Sequence, residues 1–81
     1  MMSREMRMRR EMMLGVVDEQ MRIDDPKETR VTFRRLVGAG HTEEEAREMI
    51  AVAIVEELYD MLKAKETFNE GRYVSRLRAL K

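Results

Sequence analysis

The segment from about Glu43 to Lys65 carries apolar residues at helical spacing on two adjacent stripes. One stripe consists of Ala46, Met49, Ile50, Ala53, Ile54, Leu58 and Met61. The second stripe consists of Val52, Val55, Tyr59 and Leu62. A helix that is apolar most of the way round needs neighbours on most of its sides. The segment therefore predicts a long, two-sided central helix that is covered by other helices of the chain, by a second copy of the chain, or by both.

Three capping-box patterns mark where helices begin, namely Asp25 with Glu28, Thr42 with Glu45, and Thr67 with Glu70. Thr42 is followed three residues later by Glu45, directly before the central apolar segment. Thr67 is followed in the same way by Glu70, although Asn69 competes with Thr67 as the cap. In such a box, each side chain hydrogen-bonds the backbone amide of the other residue. The boxes predict that the central helix starts near residue 43 and that a short last helix starts near residue 69.

Proline and glycine residues mark the two ends of the second predicted helix. Asp25 is predicted as its N-cap and Pro26 as its first helical residue. Gly38 and Gly40 predict its end, because glycine readily adopts the left-handed conformation that closes many helices. The expected helices cover about residues 3–23, 26–37, 43–65 and 69–81.

These helices define the fold class, which is an all-α small bundle of three to four helices in one domain spanning residues 1–81. Residues 1–10 either begin the first helix or form a flexible basic arm. The predicted inner faces of the three outer helices are Met6, Met13, Val16, Val17 and Met21; Phe33, Leu36 and Val37; and Tyr73, Leu77 and Leu80.

Composition excludes several classes of protein. With 40% charged and 43% apolar residues and a net charge of +0, the chain does not have the composition of a disordered protein. The longest apolar run, Met49–Val55, has seven residues, against roughly 20 for a membrane span. The chain has no Cys, which is typical of a protein in a reducing compartment. We expect no export signal, because the first apolar stretch is short and is interrupted at Asp18. We expect a soluble cytoplasmic protein that does not bind membranes.

Charge is segregated along the chain although the total cancels. Residues 41–60 hold seven acidic residues and one basic residue, whereas residues 71–81 hold four basic residues and no acidic one. Residues 1–10 hold four arginines and one glutamate. We expect the basic ends to meet the acidic middle, either within one chain or across a dimer.

The first segment is rich in methionine and arginine. Seven of the nine methionines lie there: Met1, Met2, Met6, Met8, Met12, Met13 and Met21. One interpretation is a core helix that uses methionine as filler, and the other is an adaptable helix that docks on an unidentified protein partner or on a membrane surface. Glu5 and Glu11 disfavour the membrane surface.

Nucleic-acid binding is disfavoured. Two helices meet at the turn around Gly40, as in a helix-turn-helix, but the second one begins with Glu43, Glu44 and Glu45. That end of a recognition helix normally meets phosphates and base edges. Weak binding through the basic termini is a second alternative function.

No catalytic constellation is recognisable. His41 is the single histidine, and Ser3 and Ser75 have no partner base at a known spacing. We therefore expect a protein that is not an enzyme and that has no cofactor.

A divalent metal is the alternative cofactor. Glu44 and Glu48 lie one turn apart on the central helix, and Glu11 and Asp18 lie two turns apart on the first. Facing carboxylates in a helical bundle can hold such an ion. These four residues form the candidate metal site.

Self-association is the preferred hypothesis for function. A chain this short builds only a marginal core, and oligomerisation is a common remedy. We expect a structural or protein-interaction module that forms a homodimer. The candidate core or dimer seam consists of Ile50, Ile54, Leu58, Val55, Tyr59 and Leu62.

Several short strings carry a resemblance over about residues 14–80. They are Val16-Val17-Asp18-Glu19-Gln20, Asp25-Pro26, Arg35-Leu36-Val37, Gly40-His41, Glu45-Ala46-x-x-x-Ile50, Glu57-Leu58-Tyr59 and Arg72-Tyr73-x-x-x-Leu77-x-x-Leu80. The chain resembles a group of small bacterial all-helical domains of unknown function. Members of that group tend to carry histidines where this chain has Gly15, Glu44 and Glu48, and this spacing implies a metal site between the first and third helices of those members. The histidines are missing from this chain, so the resemblance implies that such a site is either lost here or rebuilt from carboxylates. The resemblance implies a helical fold and leaves the activity open.

Overall fold

The structure, a computed structural model, describes residues 4–81, apart from the side chains of Glu5 and Met6. It contains α1 (Arg4–Ile23), α2 (Lys27–Gly38), α3 (Glu43–Ala64) and α4 (Glu70–Ala79). The described residues include no strand, so the predicted all-α bundle is confirmed. Residues 4–10 of the proposed basic arm belong to α1. Met1, Met2 and the other residues before Arg4 lie outside the described part of the chain.

The predicted cap of α3 is present. The Thr42 hydroxyl accepts a hydrogen bond from the Glu45 amide at 3.0 Å, and the Thr42 amide donates to Glu45 Oε1 at 2.8 Å. At α4 the competing cap is the one used, because Asn69 Oδ1 accepts from the Arg72 amide at 3.0 Å. The last helix therefore starts at Glu70, and Thr67 does not cap it.

The predicted start of α2 was wrong by one position. Pro26 is the N-cap, in an extended conformation, and Lys27 is the first helical residue. Proline has no side-chain oxygen, so α2 lacks a side-chain cap. Its end agrees with the prediction, since Gly40 takes the left-handed φ of 111° that glycine tolerates.

The core lies where α3 contacts each of the other three helices. Its buried apolar members are Leu14, Val17, Leu36, Ala46, Ile50, Ala51, Ala53, Ile54, Tyr73 and Leu77. The predicted inner faces of α2 and α4 are confirmed, with Phe33, Val37 and Leu80 packed at the edge of the core. No helix in the described chain is long and apolar enough to cross a membrane.

The predicted inner face of α1 needs one correction. Leu14 is buried, whereas Val16 is 38% exposed. Leu14, Val17 and Met21 are spaced by three and four residues and share one helix face, from which Val16 is rotated away. Met13 and Met21 pack against the core, as a filler role predicts, but Met8 and Met12 are exposed.

Candidate functional site

The outer side of α3 carries the most exposed apolar residues of the helix. Val52, Val55, Tyr59 and Leu62 are 55%, 47%, 64% and 82% exposed, and we call these four residues the outer face. Their spacing is three, four and three residues, which is the a/d spacing of a coiled-coil seam. Exposed apolar residues in such a continuous row are typical of a surface that another helix covers.

A groove between α1 and α3 borders the outer face. It has a volume of about 450 Å³, and its floor is apolar. The floor consists of Met13, Leu14, Ala51, Val52 and Val55, and the rim carries Arg9, Arg10, Glu48 and Glu56. We call this depression the α1–α3 groove. Arg10 of α1 donates a hydrogen bond to Glu48 of α3 across its rim.

A smaller depression of about 340 Å³ lies on the other side of the outer face, between α3 and α4. Val55, Glu56 and Tyr59 contribute to it from α3, and Arg76 contributes from α4. Val55 and Glu56 line both depressions. The outer face is therefore a ridge with a depression on each side, and the smaller depression is bordered by the charged residues Glu56, Asp60 and Arg76.

A buried carboxylate fastens α4 to the inner side of α3. Glu57 is 0% exposed, and its two oxygens accept from Arg72 Nε at 2.7 Å and Arg72 Nη2 at 2.8 Å. It also accepts from the Asn69 amide at 3.1 Å. Hydrogen bonding from Arg72 lowers the pKa of the Glu57 carboxyl and outweighs the opposing effect of burial. Glu57 therefore stays ionised at neutral pH.

Neighbouring ion pairs join the same two helices. Arg76 donates to Glu56 at 3.0 Å and also to Asp60, and its Nε lies 3.7 Å from the Glu57 carboxylate. At the other end of the molecule, Arg10 reaches Glu48 and Glu44. The expectation that basic ends meet the acidic middle is confirmed within one chain.

The six residues of the predicted seam fall into two groups. Ile50 and Ile54 are 0% and 2% exposed, so of the two roles considered for the six residues, core or dimer seam, these two belong to the core of one chain. They face inward because their stripe meets the other helices of the chain. Leu58 is 36% exposed and lies at the edge, whereas Val55, Tyr59 and Leu62 are on the outer face.

The four predicted metal ligands are not brought together as one cluster. Glu44 and Glu48 face Arg10, whereas Asp18 accepts two hydrogen bonds from Arg47 at 2.8 and 2.6 Å. Glu11 is exposed on α1. Among the residues that the structure describes, no three His, Cys, Asp or Glu side chains are placed so that they could hold a metal ion together. The metal site stays a prediction.

Two polar features were not predicted. The first is the buried Glu57, which follows Ile50 and Ile54 at helical spacing and therefore lies on the same apolar stripe. A carboxylate on that stripe, together with arginines at positions 72 and 76, is a sequence signal for a buried ion pair. The second feature joins three helices. Tyr73 Oη and Thr29 Oγ1 each donate to Gln20 Oε1 at 2.8 Å, and burial raises the pKa of Tyr73.

No known protein family, curated protein or solved structure matches this chain. The resemblance to small bacterial helical domains therefore stays a prediction. What the chain offers for function is a small helical bundle whose central helix leaves one apolar ridge uncovered, beside a groove.

Proposed function

We propose that this chain is a small helical interaction module that self-associates through the outer face of α3. The observation that carries the proposal is the row of exposed apolar residues at coiled-coil spacing. Such a row packs well against an identical row, because a two-fold axis lets one surface pair with itself. The outer face of each copy is then covered by the outer face of the other copy.

The surface area of the chain supports this choice of occupant. A folded monomer of 9.6 kDa is expected to expose roughly 5,100 Å². The chain exposes 5886 Å², an excess of about 800 Å². A surface larger than this average is compatible with a second copy that covers part of it.

The charge distribution is compatible with a homodimer. Carboxylates of the acidic middle form ion pairs with arginines of the basic ends within one chain. The net charge of the chain is +0, so two copies have no long-range electrostatic repulsion. Arg10 and Arg76 hold their carboxylate partners at the borders of the outer face, which leaves the ridge itself apolar. An apolar centre with a polar rim is the usual anatomy of a protein interface.

Sedimentation equilibrium from low to high micromolar concentration tests the proposal. We expect a mass near twice the 9.6 kDa of one chain. Val55→Glu would place an unpaired carboxylate in the interface and should yield a monomer with unchanged helix content. Val31→Glu is the matched control, because Val31 is 60% exposed on α2, away from the outer face.

Two results would contradict self-association through this face. The first is a monomeric mass for the unmodified chain across the concentration range. The second is equal dissociation of the Val55→Glu and Val31→Glu variants, since that would separate the dimer from the outer face.

A further inference from the structure

The charge along α3 differs between its two ends. Its first turn contains Glu43, Glu44 and Glu45, whereas Lys63 lies in its last turn and Lys65 is its C-cap. The helix dipole has the opposite order, with its positive end at the acidic turn. Two parallel copies would bring acid to acid and lysine to lysine, whereas two antiparallel copies would bring opposite charges together.

The outer face also has a preferred register with itself. In an antiparallel coiled-coil pair, a-type positions of one helix meet d-type positions of the other. Val52 then lies opposite the partner's Leu62, and Val55 lies opposite the partner's Tyr59. All four outer-face residues are paired in this register, and none is left over.

That register also matches the shape of the surface. Val52 belongs to the floor of the α1–α3 groove, together with Met13 and Ala51. Leu62 is 82% exposed, the highest value among the large apolar residues of the described chain. A side chain that protrudes this far from one copy is therefore brought over the apolar groove of the other, which has about 450 Å³ to receive it.

We infer that two copies pair antiparallel, α3 against α3, with Leu62 of each copy inserted in the α1–α3 groove of the other. This inference rests on the proposed self-association and specifies its geometry. The two lysines near the end of one α3 then lie toward the acidic N-terminal end of the partner's helix. Burial of Leu62, Val52 and their symmetry mates excludes water from the groove.

Disulfide trapping tests the geometry, because the chain has no Cys and an introduced thiol has no competitor. V52C and L62C are made as separate variants, mixed in equal amounts, oxidised gently and analysed by mass spectrometry without reductant. We expect the mixed V52C–L62C disulfide dimer to dominate. Each variant alone should remain mostly uncrosslinked, since identical positions lie far apart in an antiparallel pair. V31C, on α2, is the control for random collision.

The outcomes separate the two proposals. Efficient homodimeric crosslinks from V52C alone and L62C alone would indicate a parallel pair and overturn the geometry. Absence of the mixed disulfide also overturns it, if sedimentation shows that both unoxidised variants are dimers; self-association itself would survive. A monomeric mass for the chain without cysteine would overturn both proposals.

Discussion

The two sides of α3 are similar in composition and opposite in environment. Ile54 on the inner side is 2% exposed, whereas its neighbour Val55 on the outer side is 47% exposed. The helix has 22 residues, and α2 and α4 have only 12 and 10. Together with α1, which has 20 residues, these two short helices cover one side of α3 and leave a ridge on the other. An apolar helix face therefore becomes core or surface according to how much helix the rest of the chain supplies.

The same contrast holds for two adjacent carboxylates. Glu57 on the inner side is buried and accepts hydrogen bonds from Nε and Nη2 of Arg72. Glu56 on the outer side is exposed and accepts one hydrogen bond, from Nη1 of Arg76. Exposed ion pairs contribute about 0–1 kcal/mol, whereas breaking a fully buried pair costs about 3–5 kcal/mol. The Glu57–Arg72 pair lies between these two cases, because Arg72 is 30% exposed. We expect the inner pair to stabilise the fold and the outer pair to have little effect.

The largest expected difference between the two sides is at Ile54 and Val55. Ile54→Ala removes a buried side chain and leaves a cavity, so the free energy of unfolding should fall by about 3 kcal/mol. A domain of this size has roughly 4–12 kcal/mol in total, so the loss is severe. Val55→Ala should change it by less than about 0.5 kcal/mol, once extrapolated to dilute protein. Urea denaturation followed by circular dichroism measures both variants. If both variants lost the same free energy of unfolding in dilute solution, the inner and outer sides of α3 would not differ in their contribution to the fold.

The next difference is at Glu57. Glu57→Gln should lower the free energy of unfolding by about 2 kcal/mol, because it removes the charge that Arg72 and Arg76 face. Glu56→Gln, the matched exposed control, should change it by less than about 0.5 kcal/mol. Both are measured by urea denaturation at neutral pH. If Glu56→Gln lowered the free energy of unfolding more than Glu57→Gln, the stabilising role of the inner ion pair would be contradicted.

The pH dependence sharpens the test of Glu57. Its pKa is lowered in the folded chain from the ordinary value of 4.5. Its ionised form therefore stabilises the fold fully above pH 4.5, and this stabilisation is lost as the pH falls through the lowered folded pKa. The stability gap between the unmodified chain and Glu57→Gln should be constant near neutral pH and narrow in acid. A gap that does not change down to the acid limit of folding would contradict this role.

The smallest expected effect is at the caps, which serve both sides of a helix alike. Thr42→Ala removes the acceptor for the Glu45 amide and should lower the free energy of unfolding by about 1 kcal/mol. Thr67→Ala is the control, because Asn69 caps α4. Thermal unfolding should show a lower midpoint for Thr42→Ala and little change for Thr67→Ala. A comparable loss at Thr67 would argue against the assignment of Asn69 as the cap.

Local signals predicted most of the fold. The capping box at Thr42, the glycine turn at Gly40 and the apolar face of α4 were readable because each depends on residues within one or two turns. Pro26 was displaced by one position. The predicted inner face of α1 included Val16 in place of Leu14, because α1 has apolar residues around most of its circumference and periodicity alone does not rank them.

The candidate site was predictable only in part. Val55, Tyr59 and Leu62 were identified as one stripe, but nothing local distinguishes that stripe from the one containing Ile50 and Ile54. Periodicity reports that a helix has two apolar sides, and it does not report which side the neighbouring helices reach. The same limit applies to Glu57, whose burial depends on arginines that lie fifteen and nineteen residues further along the chain.

The amino-acid sequence by itself determined the helices, their caps and the opposed charge blocks, because these follow from local backbone preferences and from the order of residues. Tertiary structure alone decided which side of α3 is covered, that Glu57 is enclosed with Arg72, and that Arg10 faces Glu48 across a groove. The physical reason is that burial depends on the lengths and crossing of several helices at once. An exposed apolar ridge on α3 is what remains when three shorter helices have covered its other side.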